Sequence, residues 1–176
     1  MGLGWFNGIT ELEHARNRVI SLVESLKSSW LLLDGDYRSR VKMHDVVRDV
    51  VISIASTERH MYNVMGVTEL EELLSKNKLQ CSTAISLLGK KNDCLPEKLD
   101  CPQLEFFMWR NNRTSGTVPD NFFEEAKMLK VLDLAFAFLE PLPSSFGSLE
   151  NLRHCVYFTL RWRISLNWRV KEFRSS

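Results

Sequence analysis

The sequence predicts a mixed fold, α+β and α/β, in which a small helical module with a hairpin precedes a stack of short parallel strands. The first observation is the apolar pattern of residues 43–55, which follows the 3.6-residue period of a helix with one buried face. The second is an apolar motif that recurs at steps of 22, 25 and 23 residues between positions 87 and 157. The change of period indicates two modules.

The composition is that of a globular protein. The 176 residues are 44% hydrophobic and 26% charged, with a formal net charge of +1. No run approaches the roughly 18 apolar residues that cross a bilayer, and the first residues lack the pattern of a secretory signal. We therefore expect a cytoplasmic protein without a transmembrane segment.

The cysteines give no sign of a metal site. Cys81, Cys94, Cys101 and Cys155 form no C-x-x-C pair, and the histidines show no matching zinc spacing. Reduced and mostly buried thiols are the expectation.

Residues 1–60 predict a winged-helix-like module. Thr10 and Glu13 have the spacing of a capping box at the start of a first helix. The pair Asp34-Gly35 is typical of a hairpin turn between two short apolar runs. A second helix follows. The apolar faces predicted to pack on the domain are Leu12, Ala15, Val19, Leu22, Val23 and Leu26 in the first helix, and Met43, Val46, Val47, Val50, Val51, Ile54 and Ala55 in the second.

Residues 61–80 lose this regularity. The stretch VTELEELLSKNKL has weak caps, although Leu70, Leu73 and Leu74 would face inward if it were helical. We interpret the segment as a linker.

Residues 81–159 predict about four leucine-rich repeats. CPQLEFFMWRNN places Leu104, Phe107, Trp109 and Asn112 at the positions of L-x-x-L-x-L-x-x-N. Further matches are Ile85 and Leu87; Leu129, Leu132, Leu134 and Ala137, followed by Leu139; and Leu152, Cys155 and Tyr157. Such repeats stack into a parallel sheet, and Leu87, Trp109, Leu134 and Tyr157 should point into the core. A generic α/β domain with chance leucines is the alternative.

Residues 160–176 form a divergent basic tail. In LRWRISLNWRVK, apolar residues alternate with mostly basic ones, which is the period of a strand with two different faces. We interpret it as a cap that lays its apolar face on the open end of the sheet. A membrane-surface or nucleic-acid contact and a loosely ordered tail remain alternatives.

Three stretches resemble one family. LLLDGDYRSRVKMHDVVRDVVISIAS resembles the end of the nucleotide-binding (NB-ARC) region of plant coiled-coil, nucleotide-binding, leucine-rich-repeat disease-resistance proteins, in which Met-His-Asp is a signature. The upstream MGLGWFNGITELEHARNRVISLVESLKSSW resembles the preceding helices of the same subdomain, and LPSSFGSLENLR resembles the repeats of the same family. The resemblance covers roughly residues 1–157.

This resemblance implies that Met43, His44 and Asp45 lie against bound ADP in a full-length receptor, with the histidine near the β-phosphate. An imidazole at a helix N-terminus suits an anion site, although His44 and Asp45 could equally be a capping pair. The chain has no G-x-x-x-x-G-K-[ST] phosphate loop, so we expect it to hold no cofactor alone. ADP or ATP is implied only for the full-length family.

The implied function is that of a truncated or partial intracellular plant immune receptor that contributes to defence. Its partners would be the rest of its nucleotide-binding region and a pathogen effector or guarded host protein. The alternative is a free-standing leucine-rich-repeat adaptor. That adaptor would bind protein through an outward strand face that contains Glu105, Phe106, Met108, Arg110, Asp133 and Ala135. The first helix has balanced charge, so no nucleic acid is expected, and no catalytic constellation predicts an enzyme.

Overall fold

The computed structural model describes Gly8 and residues 11–37, 40–89, 93–111, 118–138, 142–158 and 163–167. The chain divides into two compact units, the first ending at Glu58 and the second beginning at Arg59. Each unit is described by itself.

The first unit contains two helices joined by a hairpin. Its elements are α1 (Leu12–Ser28), β1 (Leu33–Asp34), β2 (Val41–Lys42) and α2 (Asp45–Glu58). The antiparallel pairing of β1 with β2 confirms the predicted hairpin. The predicted capping box is not seen, because the N-cap of α1 is Glu11, whose side chain makes no capping hydrogen bond; Thr10 lies outside the described residues.

The apolar faces of α1 and α2 are not buried as expected. Within α1 only Ala15 is buried, and no residue of α2 is. The helical period correctly identifies which side chains share a face, but nothing in the described part of the first unit buries that face. The expectation that both helices bury an apolar face is therefore wrong for the described residues.

The second unit is built on a sheet whose strands follow chain order. Its elements are β3 (Met61–Val64), α3 (Val67–Ser75), β4 (Ala84–Gly89), β5 (Phe106–Asn111), β6 (Val131–Phe138), a 3₁₀-helix (Ser144–Ser148), β7 (His154–Phe158) and β8 (Arg163–Asn167). Strands β3 to β7 are parallel neighbours, and β8 pairs antiparallel with β7. The described part of the sheet thus contains five parallel strands and one antiparallel edge strand.

The segment 61–80 is not the linker that we expected. It supplies β3, which pairs in parallel with β4, and the helix α3. Val64 of β3 and Leu70 of α3 are both fully buried, so this segment belongs to the core of the second unit.

Main-chain hydrogen bonds repeat at the entrance of successive strands. The Thr83 carbonyl accepts the amides of Glu105 and Phe106 at 2.9 and 3.1 Å, and the Glu105 carbonyl accepts those of Lys130 and Val131 at 2.8 and 3.0 Å. The carbonyl of Lys130 likewise accepts two amides at 2.8 and 3.1 Å, from the pair 153–154. One carbonyl therefore joins each repeat to the next at steps of 22, 25 and 23 residues.

The core lies on one face of this sheet. Leu87, Trp109 and Leu134 are completely buried, as predicted, whereas the side chain of Tyr157 lies outside the described residues. Asn112 and Leu139 lie outside them as well, and of Ala137 only the backbone, in β6, is described.

Four phenylalanines fill the space beside the sheet. The ring of Phe107 on β5 meets those of Phe122 and Phe123 edge-on, with centroids 5.6 and 6.0 Å apart. Phe123 in turn meets Phe146 of the 3₁₀-helix at 5.4 Å. These edge-to-face contacts tie the segments between strands to the sheet.

Two of the four cysteines are in this core. Cys101 and Cys155 are buried, whereas Cys81 and Cys94 are exposed, so the expectation of mostly buried thiols is wrong for half of them. Burial raises the pKa of each buried thiol to about 12.

Candidate functional site

The candidate site lies where the hairpin leads into α2. The hairpin turn begins at Gly35, whose amide donates a hydrogen bond to the carbonyl of Arg40 at 3.0 Å. A Cβ at position 35 would lie 2.8 Å from that carbonyl oxygen. Because the opposing atom is backbone, only glycine fits without moving the turn.

An ion pair joins the hairpin to α1. The Lys27 ammonium lies 2.7 Å from the Asp34 carboxylate on β1 and 3.4 Å from Glu24. The hydrogen bond with Asp34 is the main cause of the raised pKa of Lys27. This contact orients β1 relative to the end of α1.

The three residues predicted as the site are consecutive at the start of α2. Met43 and His44 follow β2, and Asp45 is the first residue of the helix. Met43 is partly buried, whereas His44 and Asp45 are exposed. The carbonyl of His44 accepts the amide of Arg48 at 2.8 Å, so the main chain of His44 already takes part in the first helical turn.

Asp45 is held by an arginine that the sequence reasoning missed. The Asp45 carboxylate accepts a hydrogen bond from Arg48 at 2.9 Å, and Arg48 also contacts Asp49 at 3.1 Å. The i, i+3 spacing of Asp45 and Arg48 on one helix could have predicted this pair. All three side chains are at least half exposed, so the contacts position Asp45 without adding much stability.

Neither predicted side chain caps the helix. Among the described residues, no hydrogen bond joins the imidazole of His44 to another group, and the Asp45 carboxylate accepts its hydrogen bond from the side chain of Arg48. The capping-pair interpretation therefore lacks its hydrogen bonds. What remains is an exposed imidazole beside the first turn of α2, whose leading amides have no partner within the helix itself.

This arrangement fits one contact to a phosphate group. The first amides of a helix and its dipole attract anions, and an imidazole can donate a further hydrogen bond. The carboxylate of Asp45 opposes close approach of an anion unless Arg48 continues to neutralise it. The residues described here thus offer one edge-on contact to an anion.

The parts of the chain that the structure describes hold no cluster of three or more His, Cys, Asp or Glu side chains suited to a metal ion. None of the helices described is long and apolar enough to cross a membrane.

A second surface is the outward face of the parallel sheet. Phe106 and Met108 on β5 are partly buried there, in register with Val131 and Asp133 on β6. Arg110 at the end of β5 is exposed. Beside them the partly buried pair Glu105 and Lys130 bridges two repeats at 2.5 Å; the side chain of Ala135 lies outside the described residues.

Comparison with known proteins identifies relatives of this chain. It is 33% identical over 156 residues to a protein of Arabidopsis thaliana named probable disease resistance protein At4g27220. The aligned region covers 87% of this chain and 17% of the relative. It is 32% identical over 148 residues to the disease resistance protein At4g27190 of the same plant, covering 82% and 15%. The disease resistance protein SUMM2, also from Arabidopsis thaliana, is 29% identical over 167 residues, covering 88% and 18%.

Over most of its length this chain therefore corresponds to a segment of plant disease-resistance proteins, which supports a role in plant defence. The chain spans only about a sixth of the length of these curated relatives. No protein-family model matches it, and no solved structure gives a significant match.

Proposed function

We propose that this chain is the part of an intracellular plant immune receptor in which a winged-helix-like nucleotide-state sensor continues into the first leucine-rich repeats. In this proposal residues 1–60 are the end of the nucleotide-binding region, and residues 81–159 are repeats that recognise protein. The segment 61–80, with β3 and α3, would then be the entry to the repeat array rather than a linker.

One observation carries the proposal. The Met43-His44-Asp45 segment stands at the N-terminus of α2, and within a few residues of the end of that helix the chain enters β3, from which parallel strands follow at steps of 22 to 25 residues. The recurring carbonyl contacts and the buried apolar positions support the interpretation of these steps as leucine-rich repeats.

His44 is the proposed sensor of the nucleotide. When ADP is bound by the rest of a receptor, its phosphate would receive a hydrogen bond from this imidazole and from the amides that begin α2. Asp45 and Arg48 would keep that helical turn in place. A contact made only in the ADP-bound state stabilises that state by the energy of the contact, so losing it shifts the equilibrium toward signalling.

A segment exchange tests this proposal. The matching segment of the full-length relative At4g27220 would be replaced by this chain, and resting defence signalling and retained ADP would be measured after expression in leaves. We expect the chimera to stay silent and the His44→Ala chimera to signal without a trigger and retain less ADP. The matched control is His14→Ala, an exposed histidine on α1. Unchanged signalling and ADP content in the His44→Ala chimera would reject the sensor role.

The isolated chain should bind ADP weakly or not at all and should not hydrolyse ATP. Its sequence has no phosphate loop, and one imidazole supplies a single contact. Isothermal titration calorimetry with ADP tests this expectation. Micromolar binding would mean that the chain contains a nucleotide site that the proposal does not include.

A free-standing repeat adaptor is the second candidate. The observation in its favour is the outward sheet face, where Phe106 and Met108 remain partly exposed next to Asp133 and Arg110. An adaptor would act without nucleotide, so the Met108→Arg variant should abolish its output while His44→Ala leaves that output unchanged. The sensor proposal predicts the opposite result for resting signalling, which His44→Ala should change more than Met108→Arg.

A further inference from the structure

Ser82 occupies a position that leucine fills in the later repeats. The amide of Ser82 donates a hydrogen bond to the carbonyl of the third residue before it at 3.0 Å. The same turn recurs at 3.1, 3.0 and 3.1 Å before Leu104, Leu129 and Leu152. These four residues are separated by steps of 22, 25 and 23 residues, which are the steps of the strands themselves. Ser82 is therefore the equivalent of the leading leucine of each later repeat.

The side chain of Ser82 is buried without a polar partner. It is completely buried, like Leu104 and Leu129, but within the part of the chain that the structure describes its hydroxyl forms no hydrogen bond. Ser145 is also buried, and its hydroxyl oxygen accepts the amide of Phe123 at 3.3 Å. A buried hydroxyl without a partner destabilises a fold, and serine gives less apolar contact than leucine at the same place. Among the four equivalent positions, the core is weakest at Ser82.

A second destabilising feature lies 22 residues earlier, at His60. This residue precedes β3 and has a φ of 52°, in the left-handed region that favours glycine. Its carbonyl accepts the amide of Thr83 at 3.0 Å, and this hydrogen bond holds the chain beside the start of β4. Asn77 after α3 has a similar φ of 53°, but asparagine adopts this conformation readily at the end of a helix. The strained backbone at His60 relaxes when its hydrogen bond to Thr83 opens.

Residues 60–82, which we call the entry segment, form the terminal repeat of the described sheet. Within that sheet β3 pairs with β4 alone, so the entry segment is held by a single strand interface. Hydrogen bonds also couple the parts of the segment to one another. The Tyr62 hydroxyl donates to the Lys78 carbonyl at 3.3 Å, and the Glu69 carboxylate accepts the Met65 amide at 2.7 Å. A terminal unit of this kind can open as one cooperative piece.

We propose that the entry segment is a releasable joint, which separates from β4 while the later repeats stay folded. Destabilising features at both of its ends, His60 and Ser82, lower the free energy of this opening relative to that of the later repeats. The entry segment is the stretch of chain that connects the first unit, ending at Glu58, with β4, so its release lengthens that connection. In the proposed receptor this joint would let the repeats move relative to the nucleotide sensor. That purpose rests on the proposed function, whereas the opening itself does not.

Hydrogen exchange of the full chain in low urea, measured by mass spectrometry, reports the opening of each segment separately. α3 has nine residues and is too short to be stable in water alone, so release from β4 exposes the amides of both β3 and α3. We expect their hydrogen-bonded amides to exchange at least ~tenfold faster than those of β5, with a weaker dependence on urea. Exchange of both segments at the rate and urea dependence of β5 would overturn the proposal.

Two serine variants test the cause of the opening. Ser82→Ala removes the hydroxyl without a partner and should slow exchange in the entry segment by about fivefold or more, leaving β5 and β6 unchanged. The matched control, Ser145→Ala, removes a hydroxyl that has a partner and should accelerate exchange in the peptide that contains Phe123. If Ser82→Ala instead accelerates exchange in the entry segment, its hydroxyl stabilises the fold and the proposal is wrong.

A glycine variant gives an independent measurement at the other end of the segment. His60→Gly relieves the strained φ and should slow exchange in the entry segment by about twofold or more. The control Arg59→Gly alters the neighbouring exposed residue, whose φ is not positive, and should accelerate exchange. Faster exchange in His60→Gly would contradict the proposed strain. None of these measurements involves a nucleotide, so they remain valid if the sensor role of His44 fails, and their failure leaves that role untouched.

Discussion

Leu87 of β4 lies directly opposite Trp109 of β5 in the parallel sheet, and both side chains are completely buried. The same register continues to Val64 on β3, which is also buried. Equivalent positions of successive strands thus stack into one row of the core. Because each repeat contributes one member, the stability of the second unit depends on the contacts between neighbouring members of this row.

Replacing Trp109 with alanine should strongly destabilise the second unit. The substitution leaves a large cavity in the row, and such truncations typically cost about 3–5 kcal/mol. Urea unfolding followed by circular dichroism measures the change. The control is Met108→Ala, the adjacent and partly exposed residue, which should cost much less. Equal losses for the two variants would contradict the assignment of inward and outward positions.

The repeat period explains which strands could be predicted. Around β4 to β7 the apolar motif recurs at steps of 22 to 25 residues, and the structure places strands at each. β3 was missed because Met61–Val64 contains no leucine, although Tyr62 and Val64 fall on the period, 23 residues before Ile85 and Leu87. A tyrosine and a valine without the flanking leucines of the motif are too little to distinguish a strand from a chance match.

The first unit shows another limit of sequence reasoning. The hairpin could be predicted, because the backbone contact between Gly35 and Arg40 requires a glycine that the sequence displays. The exposure of the apolar face of α2 could not be predicted, since amphipathicity identifies an apolar face without specifying what covers it. The contact of Arg48 with Asp45 could be predicted from their spacing. Its consequence for the neighbouring His44 could not, because that depends on the conformation of the turn.

Leu70 tests whether the segment 61–80 belongs to the second unit. Its side chain on α3 is fully buried, so Leu70→Ala should lower the free energy of unfolding by about 2–5 kcal/mol. Chemical denaturation of the full chain measures this value. Glu71→Ala, at an exposed position of the same helix, is the matched control. If both variants unfold at the wild-type urea concentration, α3 contributes nothing to the core.

Thiol labelling should separate the cysteines into two classes. In the native protein at pH 8, a maleimide should modify the exposed Cys81 and Cys94 quickly and the buried Cys101 and Cys155 slowly. Burial is the main cause that raises the pKa of each buried thiol to about 12, with Asp100 or Asp133 adding to it. Mass spectrometry counts the adducts, and unfolded protein should gain four. Rapid modification of all four native thiols would contradict the burial.

The same two thiols make stability depend on alkaline pH. Their pKa is raised above the ordinary value of 9.0, so the folded state keeps both thiols neutral where the unfolded chain ionises them. The contribution of these two thiols to the free energy of unfolding is therefore complete below pH 9 and decreases as the pH rises toward 12. Urea midpoints at pH 8 and 10.5 should differ less in the double variant Cys101→Ala, Cys155→Ala than in the wild type. If the urea midpoint decreases equally in the double variant and in the wild type, other groups cause the decrease.

β8 lies at the edge of the sheet that we expected the basic tail to cover. We predicted a strand that lays its apolar face on the open end of the sheet; the structure pairs Arg163–Asn167 antiparallel with β7 through the backbone, and the side chains of this strand lie outside the described residues. The pairing extends over all five residues of β7, from His154 opposite Asn167 to Phe158 opposite Arg163. This strand therefore satisfies main-chain groups of β7 that would otherwise form an open edge.

Two neighbouring proline variants test that pairing, because in an antiparallel edge strand successive amides point alternately to the neighbouring strand and away from it. Ile164 lies opposite Tyr157, and Ser165 lies opposite Val156. Of Ile164→Pro and Ser165→Pro, one should remove a hydrogen bond to β7 and lower the melting temperature, while the other removes an outward amide and serves as the matched control.

Deleting residues 160–176 should lower the melting temperature further and promote aggregation, since the edge of β7 becomes available to other chains. Calorimetry and light scattering measure both effects. If the deletion and both proline variants are as stable and soluble as the wild type, β8 does not protect this edge.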